Sequence, residues 1–125
     1  MLSDKNCGAV LAVKDIEAAK DFYENTLGLT KESGDDQGGI LYKSGDSRVL
    51  VYPSQFAGTN KATAAGWDVG GDLEKIVEDL KSKGVKFEKY DMPGVTHEGD
   101  IHVMGEMRAV WFKDPDGNIL NLNKM

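Results

Sequence analysis

The chain has two histidines, His97 and His102, five residues apart in a stretch that also carries Glu98, Asp100 and Glu106. Imidazoles beside carboxylates can move protons near neutral pH or hold a divalent cation. Five-residue spacing on an irregular segment is not a recognised ligand pattern, so a polar loop with solvent-facing histidines is the plainer reading. His97, His102, Glu106 and, further back, Asp68 are the candidate acid/base groups. Cys7 is the single cysteine. It has no internal partner for a disulfide, no zinc spacing and no base nearby in sequence, so it reads as an ordinary thiol of a reducing compartment.

The elements that position these groups come from patterning. Ala9 to Val13 is a short apolar run, and Asp15 can accept from the free amides of a helix starting at Ile16. Ile16, Ala19, Phe22, Tyr23 and Leu27 recur at helical spacing until Gly28 ends the helix. The same order returns with a strand from Ala65 to Val69, Asp72 as cap, and Leu73, Ile76, Val77 and Leu80 as an apolar stripe closed by Gly84. Val13 to Val69 and Gly28 to Gly84 are both offsets of 56 residues. A constant offset between features of different kinds indicates an internal duplication.

After each helix the pattern turns to strands. These are Leu29 to Ser33, Gly39 to Lys43 and Arg48 to Tyr52 in the first half, then Lys86 to Tyr90, Met107 to Lys113 and Ile119 to Asn123 in the second. From Tyr42-Lys43 to Phe112-Lys113 the offset has grown to 70, which places 14 extra residues between Tyr90 and Met107. The expected fold is therefore α+β: one domain over residues 1–125, with two tandem βαβββ modules at about 8–53 and 63–123.

At 125 residues, 40% hydrophobic and 29% charged, the chain is of single-domain size and reads as a globule rather than a disordered chain. The net charge of −6, with lysines interspersed among acids, leaves no footprint for a phosphate backbone, so no nucleic acid is expected. No run approaches the ~18 apolar residues that span a bilayer, and Met1 to Gly8 carries no apolar targeting core. The expectation is a cytoplasmic protein with no membrane partner.

Ala12-Val13-Lys14-Asp15-Ile16-Glu17, continuing to Phe22-Tyr23 and Leu27-Gly28-Leu29, resembles the opening signature of the vicinal-oxygen-chelate superfamily, which contains glyoxalases, bleomycin-resistance proteins and extradiol dioxygenases. Trp111-Phe112-Lys113-Asp114-Pro115-Asp116-Gly117-Asn118 resembles its closing signature. Read physically, that closing segment is a tight turn between two strands, with Pro115 fixing φ, Asp114 bonding back to turn amides and Gly117 or Asn118 accepting positive φ. The resemblance implies a curved, barrel-like mixed sheet with helices on its outer face, a ligand cavity on the concave side, and a homodimer.

In metal-dependent relatives four ligands converge on one cation, and by the resemblance their positions fall at Gly8, Leu50, Ala64 and Asn121. None is a carboxylate or imidazole, and one amide oxygen cannot hold a catalytic metal. Hence no metal or other cofactor is expected, and neither glyoxalase I nor extradiol dioxygenase activity. Strand alternation puts Gly8, Val10, Ala12, Ala64, Gly66 and Asp68 on the cavity side and Trp67 on the helix side. Leu50, Tyr52, Asp68 and Asn121 are candidate ligand contacts. So are Arg108 and Trp111, since the phase of the 107–113 strand is open: either Arg108 with Phe112 or Met107 with Trp111 faces inward. The function these expectations describe is a metal-independent small-molecule-binding protein that sequesters an antibiotic or aromatic metabolite. The alternative is a metal-free or atypical-metal lyase or isomerase working in the same cavity, so whether the chain is an enzyme stays open.

Overall fold

A computed structural model describes residues 1–124. The first module is β1 (Ala9–Val13), α1 (Ile16–Lys20) continuing as a π-helical stretch Asp21–Thr26, β2 (Thr30–Asp35), β3 (Gly39–Ser44) and β4 (Ser47–Pro53). The second is β5 (Thr63–Asp68), a 3-10 turn Gly70–Asp72, α2 (Leu73–Ser82), β6 (Phe87–Glu88), β7 (Thr96–Glu98), β8 (Ile101–Met104), β9 (Met107–Lys113) and β10 (Ile119–Lys124). The strand orders are β1-β4-β3-β2 and β5-β10-β9-β8-β7, with the short β6 also on β9. In each sheet the first strand runs parallel to the last, β1 on β4 and β5 on β10, and the other pairs are antiparallel. The result is mixed α+β, two curved sheets rather than a closed barrel. β1 and β5 lie beside each other where the modules meet.

Local chemistry explains most boundaries. Asp15 accepts from the Ala18 amide at 3.1 Å and caps α1, as its side chain should. Phe22 and Leu27 are five apart, and the Leu27 amide bonds the Phe22 carbonyl at 2.9 Å. A π turn stacks i over i+5, so both apolar residues turn inward where an α-helix would splay them. The sequence suggests an α-helix throughout; the structure changes it after Lys20. Asp72 also differs from expectation, because its side chain makes no capping bond and the 3-10 turn precedes α2 instead. The insertion between Tyr90 and Met107 is not a plain loop: β7 and β8 form a hairpin within it that extends the second sheet.

The core lies on the helix side of both sheets. Leu11, Val13, Ile40, Tyr42, Val49 and Val51 from the first sheet and Val110, Phe112, Leu120 and Leu122 from the second are buried with Ala19, Phe22, Tyr23, Leu73, Val77 and Leu80 from the helices. Phe22 of the first module packs on Phe112 of the second with ring centroids 6.4 Å apart, so the modules share one core.

The turn after β9 fastens them. The Asp114 carboxylate is 4% exposed and accepts four bonds: Tyr23 hydroxyl 2.7 Å, Asn118 Nδ2 2.8 Å, Asn118 amide 2.8 Å and Asp116 amide 2.9 Å. Asn118 Nδ2 also donates to the Ala12 carbonyl in β1 at 2.8 Å. The inter-module segment crosses the same turn through Gly58, where a Cβ would lie 2.2 Å from the Asp116 carbonyl oxygen. Burial and the adjacent Asp114 charge push the Tyr23 hydroxyl well above its ordinary value, which keeps it a donor. Removing one donor from a buried carboxylate leaves charge uncompensated. Tyr23→Phe should therefore lower unfolding stability by about 2 kcal/mol, and Asn118→Ala by about as much. Because both act on Asp114, the double variant should lose less than the sum in urea titrations; strict additivity would show that the carboxylate does not couple them.

Candidate functional site

Register assigns every strand residue to a face. In the second sheet one row runs His97, His102, Ala109, Asn123, Asp68 across β7, β8, β9, β10 and β5, and its neighbour runs Glu88, Trp111, Asn121, Gly66 across β6, β9, β10 and β5. Directly opposed residues point to the same side, so these rows form one surface on the face away from the helices. In the first sheet the same side carries Val10 opposite Leu50 and Ala12 opposite Tyr52. Val10 is 60% exposed, an apolar group left uncovered on the concave floor. Where β1 and β5 meet, a cavity of about 210 Å³ is lined by Gly8, Arg48, Ala65, Gly66 and Trp67 among others.

The structure settles the phase of β9. Trp111 and Met107 face the concave side with Asn121 and Asn123, while Phe112 faces the core. Arg108 therefore leaves the candidate contacts: it sits on the helix side, paired with Glu98 at 2.5 Å and Glu74 at 3.4 Å. Tyr42, another aromatic that could line a cavity, is fully buried on the core side with its hydroxyl on Glu24 at 2.8 Å. Glu106 is exposed in the turn between β8 and β9, away from both rows. Asp68 and His97 stand at opposite ends of the longer row, four strand spacings or roughly 19 Å along the sheet. They cannot share one proton transfer.

Neither histidine is on a solvated loop. His102 is fully buried, and its Nε2 accepts from the Tyr90 amide at 2.9 Å. His97 Nε2 donates to the Tyr90 carbonyl at 3.1 Å. The two imidazoles thus hold both polar groups of one peptide residue, and they fix their own tautomers in doing so. The His97 and His102 ring centroids are 4.6 Å apart, His102 and Trp111 4.9 Å, and Tyr90 and Trp111 5.6 Å. Trp111 Nε1 donates to Thr63 Oγ1 at 3.1 Å. The result is an aromatic cluster locked edge to face at one end of the concave surface. Tyr90 is a member that sequence reasoning misses; its only signal there is an aromatic at the start of the insertion.

The four positions at which the resemblance would place metal ligands present no set of donors for a cation here. Gly8, Leu50 and Ala64 offer no side-chain donor. The Asn121 amide is already committed, Nδ2 to the Val110 carbonyl at 3.1 Å and Oδ1 to Asn123 Nδ2 at 2.7 Å. Among the described residues no group of three or more His, Cys, Asp or Glu side chains is placed to hold a cation.

Burial pushes the His102 imidazole below the usual histidine value of 6.5, helped by His97 and Lys89 and opposed by the Ala109 and Asp100 backbone. Its Nδ1 lacks a partner of hydrogen-bonding geometry. A histidine whose pKa is lower folded than unfolded contributes stability that is whole above about pH 6.5 and falls away as the pH drops toward its folded value. The urea midpoint should therefore decline on acidification below pH 6.5, and His102→Gln should flatten that decline. An unchanged slope in the variant would place the titration elsewhere.

The chain matches the family model for the Glyoxalase/Bleomycin resistance protein/Dioxygenase superfamily over residues 8–122. It is similar to the fosfomycin resistance protein FosX from Listeria monocytogenes in its hexagonal crystal form, at 14% identity and TM-score 0.74, covering 98% of this chain and 93% of that one. It is similar to an integron cassette protein from the mobile metagenome of a Halifax Harbour sewage outfall, at 20% identity and TM-score 0.73, with 97% and 99% covered. It is also similar to lactoylglutathione lyase from Agrobacterium tumefaciens, at 16% identity and TM-score 0.72, with 97% and 93% covered. Among curated proteins there is no match. No helix of the described residues is long and apolar enough to cross a membrane. The two βαβββ modules, the closing turn between β9 and β10 and the family match over 8–122 make this chain a member of the Glyoxalase/Bleomycin resistance protein/Dioxygenase superfamily.

Proposed function

We propose that this protein binds a small molecule on its concave surface without a metal, and that it acts by holding that molecule rather than by the metal chemistry of its relatives. The commitment of Asn121 to Val110 and Asn123 carries the reading: the one metal-ligand position with a polar side chain has its amide bonded within the sheet. What the surface offers instead is an aromatic wall from Trp111, the Asn123 amide oxygen beside the engaged Asn121, and the Asp68 carboxylate. Asp68 spends one oxygen on the Gly70 amide at 3.1 Å and is otherwise exposed. Leu50, Tyr52 and the uncovered Val10 supply the apolar side.

Arg108 is turned to the helices, Lys113 is paired with Glu88 at 3.4 Å, and Arg48, at the far end of the surface beside Lys43, is paired with Glu32, so the end that carries Trp111 and Asp68 suits a planar ligand that is neutral or cationic. An antibiotic or an aromatic metabolite belongs to that class. A second copy of the chain closing over Val10 would complete the cleft. The fosfomycin resistance neighbour shares the fold alone at 14% identity; fosfomycin, a small anionic phosphonate without a planar ring, lies outside the class this surface suits and serves as a contrast.

A second reading, metal-free turnover, has one observation in its favour. His97 is half-buried beside the aromatic cluster, and among the described residues only its Nε2 is engaged. Titrating bleomycin and a series of neutral and cationic aromatics should give saturable tryptophan quenching for at least one of them, with fosfomycin as the contrast that gives none. Affinity should be unchanged by chelator and reduced tenfold or more, about 1.4 kcal/mol, in Trp111→Ala. Binding that vanishes with chelator and returns with a divalent metal would overturn the metal-free reading. Turnover abolished by His97→Ala with affinity retained would replace sequestration by catalysis.

A further inference from the structure

A second cavity, of about 180 Å³, lies on the opposite side of the sheets from the concave surface, where the modules meet beneath the helices. Leu27 enters it from the end of the π-helical stretch, Ile76 and Leu80 from α2, Trp67 from β5 and Phe112 from β9. Leu80 and Phe112 are buried at its base, whereas Leu27, Trp67 and Ile76 are half-buried at its mouth. The space is a pocket open at that mouth rather than a sealed void, and its base is continuous with the apolar core. Leu27, which ends the π turn, forms one wall, and such turns are rare and often lie at functional sites.

Its polarity decides what can enter. Ser44 is the one polar residue of the lining, and its hydroxyl already accepts from Trp67 Nε1 at 2.8 Å. Water needs two to four polar partners to be held, and a cavity of about 150 Å³ lined by Leu, Ile and Phe stays dry and takes benzene or xenon. An ion would find no counter-charge on these walls. We propose that this cavity is a binding site for a small uncharged apolar molecule of about one aromatic ring, separate from the concave surface and touching both modules at once.

The chain has two tryptophans, so Trp111→Phe leaves Trp67 as the sole indole and as a reporter inside the cavity. Toluene titrated into that protein should shift Trp67 emission saturably and raise the melting temperature. Pressurised xenon should move methyl resonances of Leu27, Ile76 and Leu80 in the unsubstituted protein. Ile76→Phe should fill the space and weaken toluene at least tenfold while the protein stays folded, and Leu27→Phe, from the opposite wall, serves if that variant unfolds. No saturable change up to the solubility of toluene, or equal affinity in the filled variant, would sink the proposal. So would a Trp67 blue shift that grows with protein concentration alone, since a second copy of the chain would then be the occupant.

Discussion

The Asp114 carboxylate is the point on which the two halves of the molecule depend. A buried charge is tolerable only when it is solvated by the protein itself. Four donors solvate it here, two of them from the turn's own backbone and one each from Tyr23 and Asn118. Tyr23 belongs to the first module's helix, and Asn118 passes its remaining bond to Ala12 in β1. A turn that could have been merely local thus fixes the first module's helix and its leading strand to the last hairpin of the second. The shared core around Phe22 and Phe112 adds apolar burial to that fastening, but burial is not directional, and the bonds to Asp114 set the orientation.

From that orientation the concave surface follows. β9 and β10 flank the fastened turn, so Trp111, Asn121 and Asn123 stand at a fixed height against β5. The amide chain from Asn123 through Asn121 to Val110 uses that geometry to satisfy polar groups within the sheet. Four convergent oxygens or nitrogens on the same strands would instead require a cation to offset their mutual repulsion. With glycine, leucine, alanine and a self-satisfied amide at Gly8, Leu50, Ala64 and Asn121, no such repulsion arises on this surface.

Much of this is legible in the sequence, and unevenly. Alternation correctly separates Trp67 from Gly66 and Asp68, because a period of two survives wherever one face is buried. The 56-residue offset locates both first strands and both helix ends. What escapes depends on contacts between residues far apart in the chain. The turn reading of Asp114 is right but local; its bond to Tyr23 spans 91 positions. His97 and His102 look solvated because the insertion is polar, yet pairing β7 with β8 puts them opposite each other and gives them the Tyr90 peptide to bind. The phase of β9 has no sequence answer, since Arg108 and Trp111 can each serve on a surface or beneath a helix.

β5 shows how one short strand serves two environments. Its odd residues Ala65 and Trp67 lie toward the helices, and its even residues Ala64, Gly66 and Asp68 are exposed on the other side. Gly66 has no side chain to fill the concave floor, and a Cβ there would stand 3.2 Å from Asn121 Oδ1. The small residue therefore protects the amide chain as well as leaving room. Trp67, one position on, does the opposite. Its indole lines the mouth of the helix-side cavity and is held by Ser44 of the first module. A ligand on either side of β5 would bear on the same seam with β1. The strand that leaves Gly66 and Asp68 on the concave face thus carries the bond to the first module, Trp67 to Ser44, on the other.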